Sequence, residues 1–328
     1  MNFIPSYIKL LNNGELKLRS EKALQNLFAC TSCPRNCIIN RFEGEFGICT
    51  SGHLPIVSSY TPHFGEEPVL SGTHGAGNIF FGNCNLKCIY CQNFEISQNP
   101  KTELKNEVSH ERLAEIMIEL QNKNCHNIGL VSPTHFSATI LKSIYLAAEK
   151  GLNLPIIYNS NSYDSVEMLK LYDGVVDIYL PDFKYGNSDY AKKYSLVDNY
   201  FEKTKEAIKE MFRQVGDELV YEGDVVVRGL IIRHLILPND LSETEAVFKF
   251  IADELSPEVH ISLMSQYYPT NKSHKEVLID RTIRNSEYER ALELLDKYGL
   301  KNGWTQEMES AETYRPYFNE NRINPFNN

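Results

Sequence analysis

Three cysteines that follow directly on a short apolar segment constrain the fold of this chain more than any other feature. Residues 78–82 read as a buried strand, and Cys84, Cys88 and Cys91 come next in the pattern C-x-x-x-C-x-x-C. One tight loop with this spacing can bring three thiolates to one face of an iron–sulfur cubane. Three cysteines leave one iron of a [4Fe–4S] cluster open, unlike the fully thiolate-ligated clusters of electron carriers. We therefore expect a cluster here whose open iron can chelate the amine and carboxylate of a bound molecule.

Two other metal sites are compatible with three cysteines. A structural zinc would normally take a fourth ligand, and residues 84–91 contain no further Cys or His. A ferredoxin-like cluster would need a fourth cysteine from a distant part of the chain.

The residues after 78 alternate short β-rich segments with helical patterns, which predicts a parallel sheet with right-handed crossovers. Six such units fall short of the eight of a closed barrel, so we expect an α/β fold of the partial (β/α)6 TIM type. Capping boxes are predicted at Ser242 with Glu245 and at Ser286 with Glu289. The predicted strands are 78–82, 127–131, 155–159, 175–180, 225–237 and 259–264, with a further short strand at 56–60.

The predicted domain organisation has three parts. Residues 1–75 contain an N-terminal helix and a cysteine-rich, metal-binding module, and residues 76–305 form the partial barrel. Residues 306–328 form a C-terminal tail, which is polar after about Arg315 and is expected to be loosely held.

The charge balance argues against general binding to nucleic acid. Lys and Arg total 33 against 43 Asp and Glu, which gives a net charge of −10, whereas phosphate backbones bind to basic surfaces. No segment approaches the length of an apolar membrane span, and the N-terminus lacks the layout of a secretory signal. We expect a soluble, cytoplasmic protein that has no membrane partner.

A second set of cysteines lies near the N-terminus. Cys30, Cys33, Cys37 and Cys49 form the pattern C-x-x-C-x-x-x-C-x11-C within a segment that has little apolar mass. In a reducing compartment such a set is more typical of metal binding than of disulfides. Four thiolates suit either a structural zinc or an auxiliary [4Fe–4S] cluster.

The motifs of this chain resemble those of a known family. C-x-x-x-C-x-x-C with Tyr90 before the last cysteine is similar to the signature of the radical S-adenosylmethionine (SAM) superfamily. The longer set of motifs resembles a branch related to pyruvate formate-lyase activating enzyme. These motifs, in chain order, are CPRNC, EEPVLSG, FFGNCNLKCIYCQN, VSPTHF, YNSNSY, DIYLPDFKY, RGLIIRHLILP and SLMSQYYP.

The resemblance implies a chemistry. SAM would chelate the open iron, and an electron from the reduced cluster would cleave its sulfonium. The resulting 5′-deoxyadenosyl radical would abstract a hydrogen atom from a substrate. The cofactor would carry this chemistry, while the protein positions the reactants and excludes water and oxygen.

The resemblance also implies contacts with SAM. Asp182 and Lys184 match an element that contacts the carboxylate and ribose of SAM in the activating enzymes. The chain has Ser132-Pro133-Thr134-His135 where those enzymes have a Gly-Gly-Glu segment, so His135 is either a site residue or a structural histidine. The full set of expected cofactor-binding residues is Tyr90, Ser132, Thr134, His135, Asn159, Asp182, Lys184, Arg233, Gln266 and Tyr267.

Some polar residues near these motifs have two interpretations. Asn159 and Asn161 follow a predicted strand and are either ligand-binding or turn residues. Glu66 and Glu67 reach the cluster loop, pack as a lid or lie in a solvated loop.

The sequence therefore predicts a radical SAM oxidoreductase, similar to an activating enzyme, with an unknown substrate. That substrate is a glycyl-radical protein, a peptide or a small molecule, and an electron donor such as flavodoxin or ferredoxin is implied. One alternative is a non-catalytic iron–sulfur electron carrier or redox sensor, and another is a radical SAM enzyme that modifies a small molecule or tRNA.

Overall fold

The fold is a mostly parallel β-sheet with helices on its outer side. The computed structural model describes residues 3–308 and 316–326. Within these residues the strands are β1 (Val57–His63), β2 (Ala76–Phe81), β3 (Ile128–Val131), β4 (Ile156–Asn159), β5 (Ile178–Tyr179), β6 (Val220–Glu222), β7 (Val225–Leu235), β8 (His260–Met264) and β9 (Gly303–Thr305).

The order of the strands is that of an open, partial barrel. Strands β2, β3, β4, β5, β7, β8 and β9 pair side by side in parallel, in that order. Strand β1 joins β2 antiparallel at one edge, and β6 forms an antiparallel hairpin with β7. The carboxyl ends of the parallel strands therefore lie at one end of the barrel, where the cysteine loop after β2 is located.

Helices connect the strands and cover the outside of the sheet. None of the described helices is long and apolar enough to cross a membrane. The helices are α1 (Tyr7–Asn12), α2 (Glu15–Gln25), α3 (Pro68–Ser71), α4 (Phe94–Ser97), α5 (Pro100–Glu103), α6 (His110–Asn122), α7 (Ser137–Glu149), α8 (Val166–Leu171), α9 (Ser188–Ser195), α10 (Tyr200–Val215), α11 (Thr244–Phe250) and α12 (Asn285–Lys297).

The α/β class and the parallel sheet are confirmed, with differences in individual strands. Residues 175–180 contribute only two strand residues, because the N–H groups of Val175 and Val176 bond to the carbonyl of Tyr172 in a turn. Strand β7 is continuous up to Leu235. Strands β6 and β9 were not predicted, because each has only three residues and no extended apolar run.

Both predicted capping boxes are wrong. Helix α11 begins at Thr244 after Glu243, which has a left-handed backbone, and the buried Ser242 contacts the Thr244 hydroxyl instead (3.2 Å). Helix α12 begins at Asn285, whereas a cap at Ser286 would make residue 287 the first residue of the helix. There the Glu287 carboxylate accepts a hydrogen bond from the Arg284 N–H (2.8 Å).

A short plug closes the interior of the barrel on the side away from the cysteine loop. The plug consists of residues 65–72, which link β1 to β2 and include helix α3. Leu70 is fully buried among inward-facing residues of the barrel strands, including Ile157, Ile178 and Ile231. The Asn127 side chain donates to the Leu70 carbonyl (2.8 Å) and holds the plug in place.

The C-terminal segment 316–326 packs on the barrel, contrary to the expectation of a loosely held tail. Phe318 is fully buried and its ring lies 5.5 Å from that of Phe80 on β2. Arg322 pairs with the fully buried carboxylate of Glu103 (2.8 Å). Apolar burial and an ion pair therefore fix a segment whose composition is mostly polar. Residues 309–315, in the same predicted tail, lie outside the described residues.

Candidate functional site

The three cysteines after β2 line an open cavity at the carboxyl ends of the strands. Cys84, Cys88 and Cys91 lie on its wall together with residues that follow β3, β4, β5 and β8. A cavity at this end of a parallel barrel is the usual position of an active site.

Each thiol has a polar neighbour that can donate a hydrogen bond to sulfur. The Asn161 amide and the Leu86 N–H approach Cys84 Sγ at 3.5 and 3.4 Å. The Ser195 hydroxyl, from the end of α9, donates to Cys88 Sγ at 2.9 Å. The Ser97 hydroxyl lies 3.2 Å from Cys91 Sγ. Hydrogen bonds to sulfur are among the features that tune iron–sulfur clusters.

Burial affects the protonation of these thiols. It raises the pKa of Cys88 to about 12, and it raises the pKa of Cys84 and Cys91 as well. The thiols are therefore protonated at neutral pH, and a metal must displace their protons on binding.

The arrangement of the thiols fits a cluster. The described residues contain no group of three or more His, Cys, Asp or Glu side chains placed to hold a single metal ion. A cubane differs from a single ion because each of its cysteines binds a different iron. Three thiols on one wall, with hydrogen-bond donors to the sulfurs, are therefore a suitable donor set for a [4Fe–4S] cluster.

A network of charged residues lies next to the thiols. Asp182, which follows β5, accepts from Lys184 Nζ (2.6 Å) and from Arg233 Nε on β7 (2.7 Å). Arg233 also donates to the Asn159 side chain (2.7 Å) and lies 3.3 Å from a carboxylate oxygen of Glu66. All five residues line the cavity.

The charges of this network are stable at neutral pH. Burial alone would raise the pKa of Asp182, but the neighbouring Arg233 and Lys184 lower it below its ordinary value. Burial alone would lower the pKa of Lys184, but the neighbouring Asp182 carboxylate raises it above its ordinary value. The network therefore presents fixed cations and carboxylates to any molecule in the cavity.

The plug supplies a carboxylate to the cavity from the opposite end of the barrel. Glu66 accepts from the Asn78 amide on β2 (2.8 Å) and lies within 3.4 Å of the Asn159 amide. Glu67 is buried beside it, and burial raises its pKa. The solvated-loop interpretation of these two residues is therefore wrong.

Aromatic side chains and two further expected residues complete the wall. Tyr90 and Tyr267 line the cavity with their rings 5.7 Å apart. The Tyr90 hydroxyl donates to the Tyr185 hydroxyl (2.7 Å), which in turn contacts Ser195. Gln266 and Ser132 are also on the wall.

Two expected cofactor-binding residues, Thr134 and His135, do not line the cavity. Ser132 has a left-handed backbone (φ 60°), and the chain after it turns into a short 3-10 helix, residues 134–136. Thr134 and His135 are fully buried, and His135 Nε2 lies 2.9 Å from the Gly82 carbonyl oxygen. Burial lowers the pKa of His135 to about 3. This histidine is therefore neutral at physiological pH, and its buried position outside the cavity is that of a structural residue.

The N-terminal cysteines form a separate site. Cys30, Cys33 and Cys49 are nearly fully buried, and Cys37 is partly exposed. None of them lines the cavity. The Arg41 guanidinium lies among the buried thiols, with Nη2 3.4 Å from Cys49 Sγ.

Sequence reasoning missed several residues of the site. Ser97, which lines the cavity, and Ser195, which is buried behind Cys88, lack any local signal, because their role depends on contact with the cysteine sulfurs. His63, Pro316 and Phe326 also line the cavity. The ring of Phe326 lies 4.2 Å from that of His63, and both come from segments that precede or follow the predicted barrel.

Comparison with known proteins finds one family and two close relatives. Residues 78–229 match the Radical SAM superfamily. Uncharacterized protein MJ0674 of Methanocaldococcus jannaschii is 36% identical over 316 residues, which cover 91% of this chain and 83% of the relative. Uncharacterized protein MJ0808 of the same organism is 28% identical over 271 residues, or 77% of this chain and 74% of the relative.

Two solved structures are also similar. The HydG maturase of the [FeFe]-hydrogenase aligns over 68% of this chain with a TM-score of 0.46 and 11% identity. This chain spans about half (48%) of the length of HydG. Methylornithine synthase (PylB) aligns over 68% of each chain with a TM-score of 0.41 and 13% identity.

Proposed function

Because this chain belongs to the radical SAM superfamily, we propose that Cys84, Cys88 and Cys91 bind the [4Fe–4S] cluster and that the cavity beside them binds SAM. The cluster and SAM together supply a 5′-deoxyadenosyl radical, which abstracts a hydrogen atom from the substrate. The tasks of the protein are to hold these reactants, to orient them and to exclude water.

The hydrogen-bonding residues around the thiols hold the cluster. Ser195 donates to Cys88 and Asn161 donates to Cys84, while the Ser97 hydroxyl is placed to donate to a Cys91 thiolate. Such donors stabilise negative charge on thiolate sulfur. They favour metal-bound thiolates at sulfurs that burial would otherwise keep protonated.

The charged network suits the polar groups of SAM. Arg233 and Lys184 offer cationic donors for a carboxylate, while Asp182, Glu66 and Asn159 offer oxygen acceptors for an ammonium or for ribose hydroxyls. The Tyr90 and Tyr267 rings offer an apolar surface for a planar base. The cavity therefore contains partners for each chemical part of SAM.

The observation that carries this proposal is the meeting of three sulfurs and a paired set of buried charges in one cavity. The test is the reductive cleavage of SAM by protein purified and reconstituted without oxygen. Dithionite-reduced wild-type protein should convert SAM to 5′-deoxyadenosine, and the Cys88→Ala variant should not. Equal deoxyadenosine from both proteins would refute the assignment of these cysteines.

The main alternative is a non-catalytic iron–sulfur carrier. A carrier needs a fourth ligand for its cluster, and Cys84, Cys88 and Cys91 are the only cysteines of the described residues on the cavity wall. His63 is also on the wall, but its ring packs against Phe326 and Phe80. The absence of a fourth cysteine favours an open iron and therefore the catalytic function.

We propose that the substrate is a small molecule or a single extended peptide. The C-terminal segment brings Pro316 and Phe326 onto the cavity wall, which narrows the space beside the thiols. A folded glycyl-radical domain, which the resemblance to activating enzymes suggests, would need a wider approach. A flavodoxin or a ferredoxin is the proposed electron donor.

The substrate class can be tested with fractionated cell extract. Formation of 5′-deoxyadenosine by the reduced holoenzyme is measured with a low-molecular-mass fraction and with a protein fraction. Stimulation by the first fraction supports a small molecule or peptide. Stimulation by the protein fraction alone would instead support a glycyl-radical protein.

A further inference from the structure

Arg41 is a buried cation that has no carboxylate partner among the residues that the structure describes. Its side chain is 2% exposed, and a guanidinium stays charged at any physiological pH. Nη1 donates to the carbonyl oxygens of His135 (2.7 Å) and Gly52 (3.4 Å), and Nη2 approaches Cys49 Sγ (3.4 Å). Among the described residues, Nε has no hydrogen-bond acceptor. A buried charge with this environment is costly unless another group balances it.

The groups nearest to this cation are thiols. Cys30, Cys33 and Cys49 are only 3–5% exposed, and all three interact electrostatically with Arg41. Neutral thiols cannot balance a guanidinium, whereas metal-bound thiolates can. Four thiolates outnumber the charge of Zn²⁺ or of an oxidised [4Fe–4S]²⁺ core, so the complete centre would be an anion.

The backbone brings the third cysteine of the set, Cys37, back toward the first. The Ile38 N–H donates to the Cys30 carbonyl (3.0 Å), and the Cys30 N–H donates to the Ile39 carbonyl (2.9 Å). Cys37 lies between Asn36 and Ile38, which both have a left-handed backbone (φ 44° and 54°). A left-handed conformation at a β-branched residue is unfavourable and persists only where the surroundings enforce it.

The number of cysteines suits a structural zinc as well as a [4Fe–4S] cluster. The choice of a cluster follows from the proposed function, in which the same chain binds iron and sulfide at Cys84, Cys88 and Cys91.

We propose that Cys30, Cys33, Cys37 and Cys49 bind a second iron–sulfur cluster and that Arg41 is its counter-charge. Arg41 acts as a positioning residue, and its free Nε–H is available to an acceptor sulfur of the cluster. This inference relies on the proposed function for the chemical class of the centre, but it does not depend on SAM cleavage.

The same arginine connects the second site to the loop of the first. Arg41 donates to the His135 carbonyl, and His135 Nε2 lies 2.9 Å from the Gly82 carbonyl oxygen, two residues before Cys84. The Asn83 amide donates to the Thr50 carbonyl (2.8 Å), which adjoins Cys49. Two hydrogen-bonded links therefore hold the two cysteine sites against each other.

The first experiment measures iron, sulfide and zinc per chain in full-length protein reconstituted without oxygen. Two four-iron clusters predict about eight irons in the wild type and about four in both Cys33→Ala and Cys88→Ala. About eight irons in the wild type, together with a loss of about four irons in Cys33→Ala, would support the second cluster. Four irons with one zinc, or no loss of iron in Cys33→Ala, would overturn it. Retention of all iron in Cys88→Ala would instead contradict the proposed function.

The second experiment tests the role of Arg41 through the reduction potential. An EPR-monitored redox titration of the signal that Cys33→Ala abolishes is compared between the wild type, Arg41→Met and Arg41→Lys. Loss of the cation should lower the midpoint potential, because the reduced cluster carries one more negative charge. Arg41→Lys should restore part of the shift. Arg19→Met, which removes a partly exposed arginine paired with Glu15, serves as the control.

The outcomes of the titration separate electrostatics from folding. A lower potential in Arg41→Met with full iron content supports the counter-charge. An unchanged potential with full iron content would overturn it. If Arg41→Met fails to assemble the cluster, Arg41→Lys decides, since a retained charge should keep both the iron and a potential near that of the wild type. Loss of the second cluster in Arg41→Lys as well would overturn a role based on charge.

Discussion

Asp182, just after β5, and Arg233, on the neighbouring strand β7, form a partly buried ion pair, with Arg233 Nε 2.7 Å from a carboxylate oxygen of Asp182. Backbone hydrogen bonds hold the pair in register, because the Phe183 N–H donates to the Arg233 carbonyl (2.8 Å) and the Arg233 N–H to the Pro181 carbonyl (2.9 Å). Lys184 binds the other oxygen of the carboxylate. Arg233 is therefore oriented by the fold and not by a ligand, which makes it a preorganised cation on the cavity wall.

Replacing this arginine should weaken the binding of SAM without removing the cluster. Arg233→Met loses a charge-assisted donor, and such a bond contributes roughly 1.5–3 kcal/mol, equivalent to about a 10- to 100-fold rise in Kd. Equilibrium dialysis of labelled SAM with cluster-loaded protein measures this change. Arg228→Met is the matched control, since Arg228 lies on the same strand but donates to Ser6 and Gln214 outside the cavity. Equal SAM affinity of the wild type and Arg233→Met, with full iron content, would contradict the proposal.

Removing the hydroxyl that contacts Cys88 should lower the potential of the first cluster. Ser195 is fully buried and donates to Cys88 Sγ at 2.9 Å. The bond stabilises the more negative, reduced state of the cluster by roughly 1 kcal/mol. Ser195→Ala should therefore lower the midpoint potential by about 40 mV for a one-electron reduction. A redox titration monitored by EPR measures the shift. Ser143→Ala, a buried serine that bonds within helix α7, should leave the potential unchanged, and a shift of equal size there would refute a specific effect.

A buried aspartate at the start of β5 should make stability fall as the pH rises. Burial raises the pKa of Asp177 from 3.8 to about 6, although its oxygens accept from the N–H groups of Ser6 and Ile156. The folded chain thus binds this proton more tightly than the unfolded chain does. Between about pH 5 and about pH 7 this difference removes roughly 1 kcal/mol of stability.

The Asp177→Asn variant tests this assignment. The amide cannot titrate, so the free energy of unfolding in urea should fall less between the two pH values than it does in the wild type. The control Glu167→Gln changes a carboxylate whose side chain is 78% exposed. A pH dependence in Asp177→Asn equal to that of the wild type would show that Asp177 is not the titrating group.

The parts of the site that follow from local sequence were predictable. The spacing of Cys84, Cys88 and Cys91 is a property of one loop, and Asp182 directly follows an apolar strand. Because the carboxyl ends of parallel strands meet at one end of a barrel, the class of fold was enough to bring such residues together.

The parts that depend on distant contacts were not predictable. Glu66 reaches the cavity only because the plug buries Leu70 against the inward-facing side chains of the barrel strands. Thr134 and His135 leave the cavity because the backbone of Ser132 adopts a left-handed conformation, which a serine does not signal. The buried position of Phe318 was missed because the surrounding segment is polar and carries a single pair of phenylalanines.

Weakening the anchor of the C-terminal segment should open the cavity. Phe318 is fully buried against Phe80, whereas Ile323 in the same segment is 84% exposed. Phe318→Ala removes a buried ring, a change that costs about 3–5 kcal/mol where the ring belongs to the core. Because residues 316–326 contribute no strand to the barrel sheet, this loss should appear as local opening, with faster amide hydrogen exchange over these residues and little change in the barrel strands. Since Phe326 lines the cavity, the same variant should also form 5′-deoxyadenosine faster in the absence of substrate, because buffer molecules or thiol reductants with weak C–H or S–H bonds reach the cavity and donate the hydrogen atom. Ile323→Ala should match the wild type in both measurements, and unchanged hydrogen exchange in Phe318→Ala would show that Phe318 does not anchor the segment.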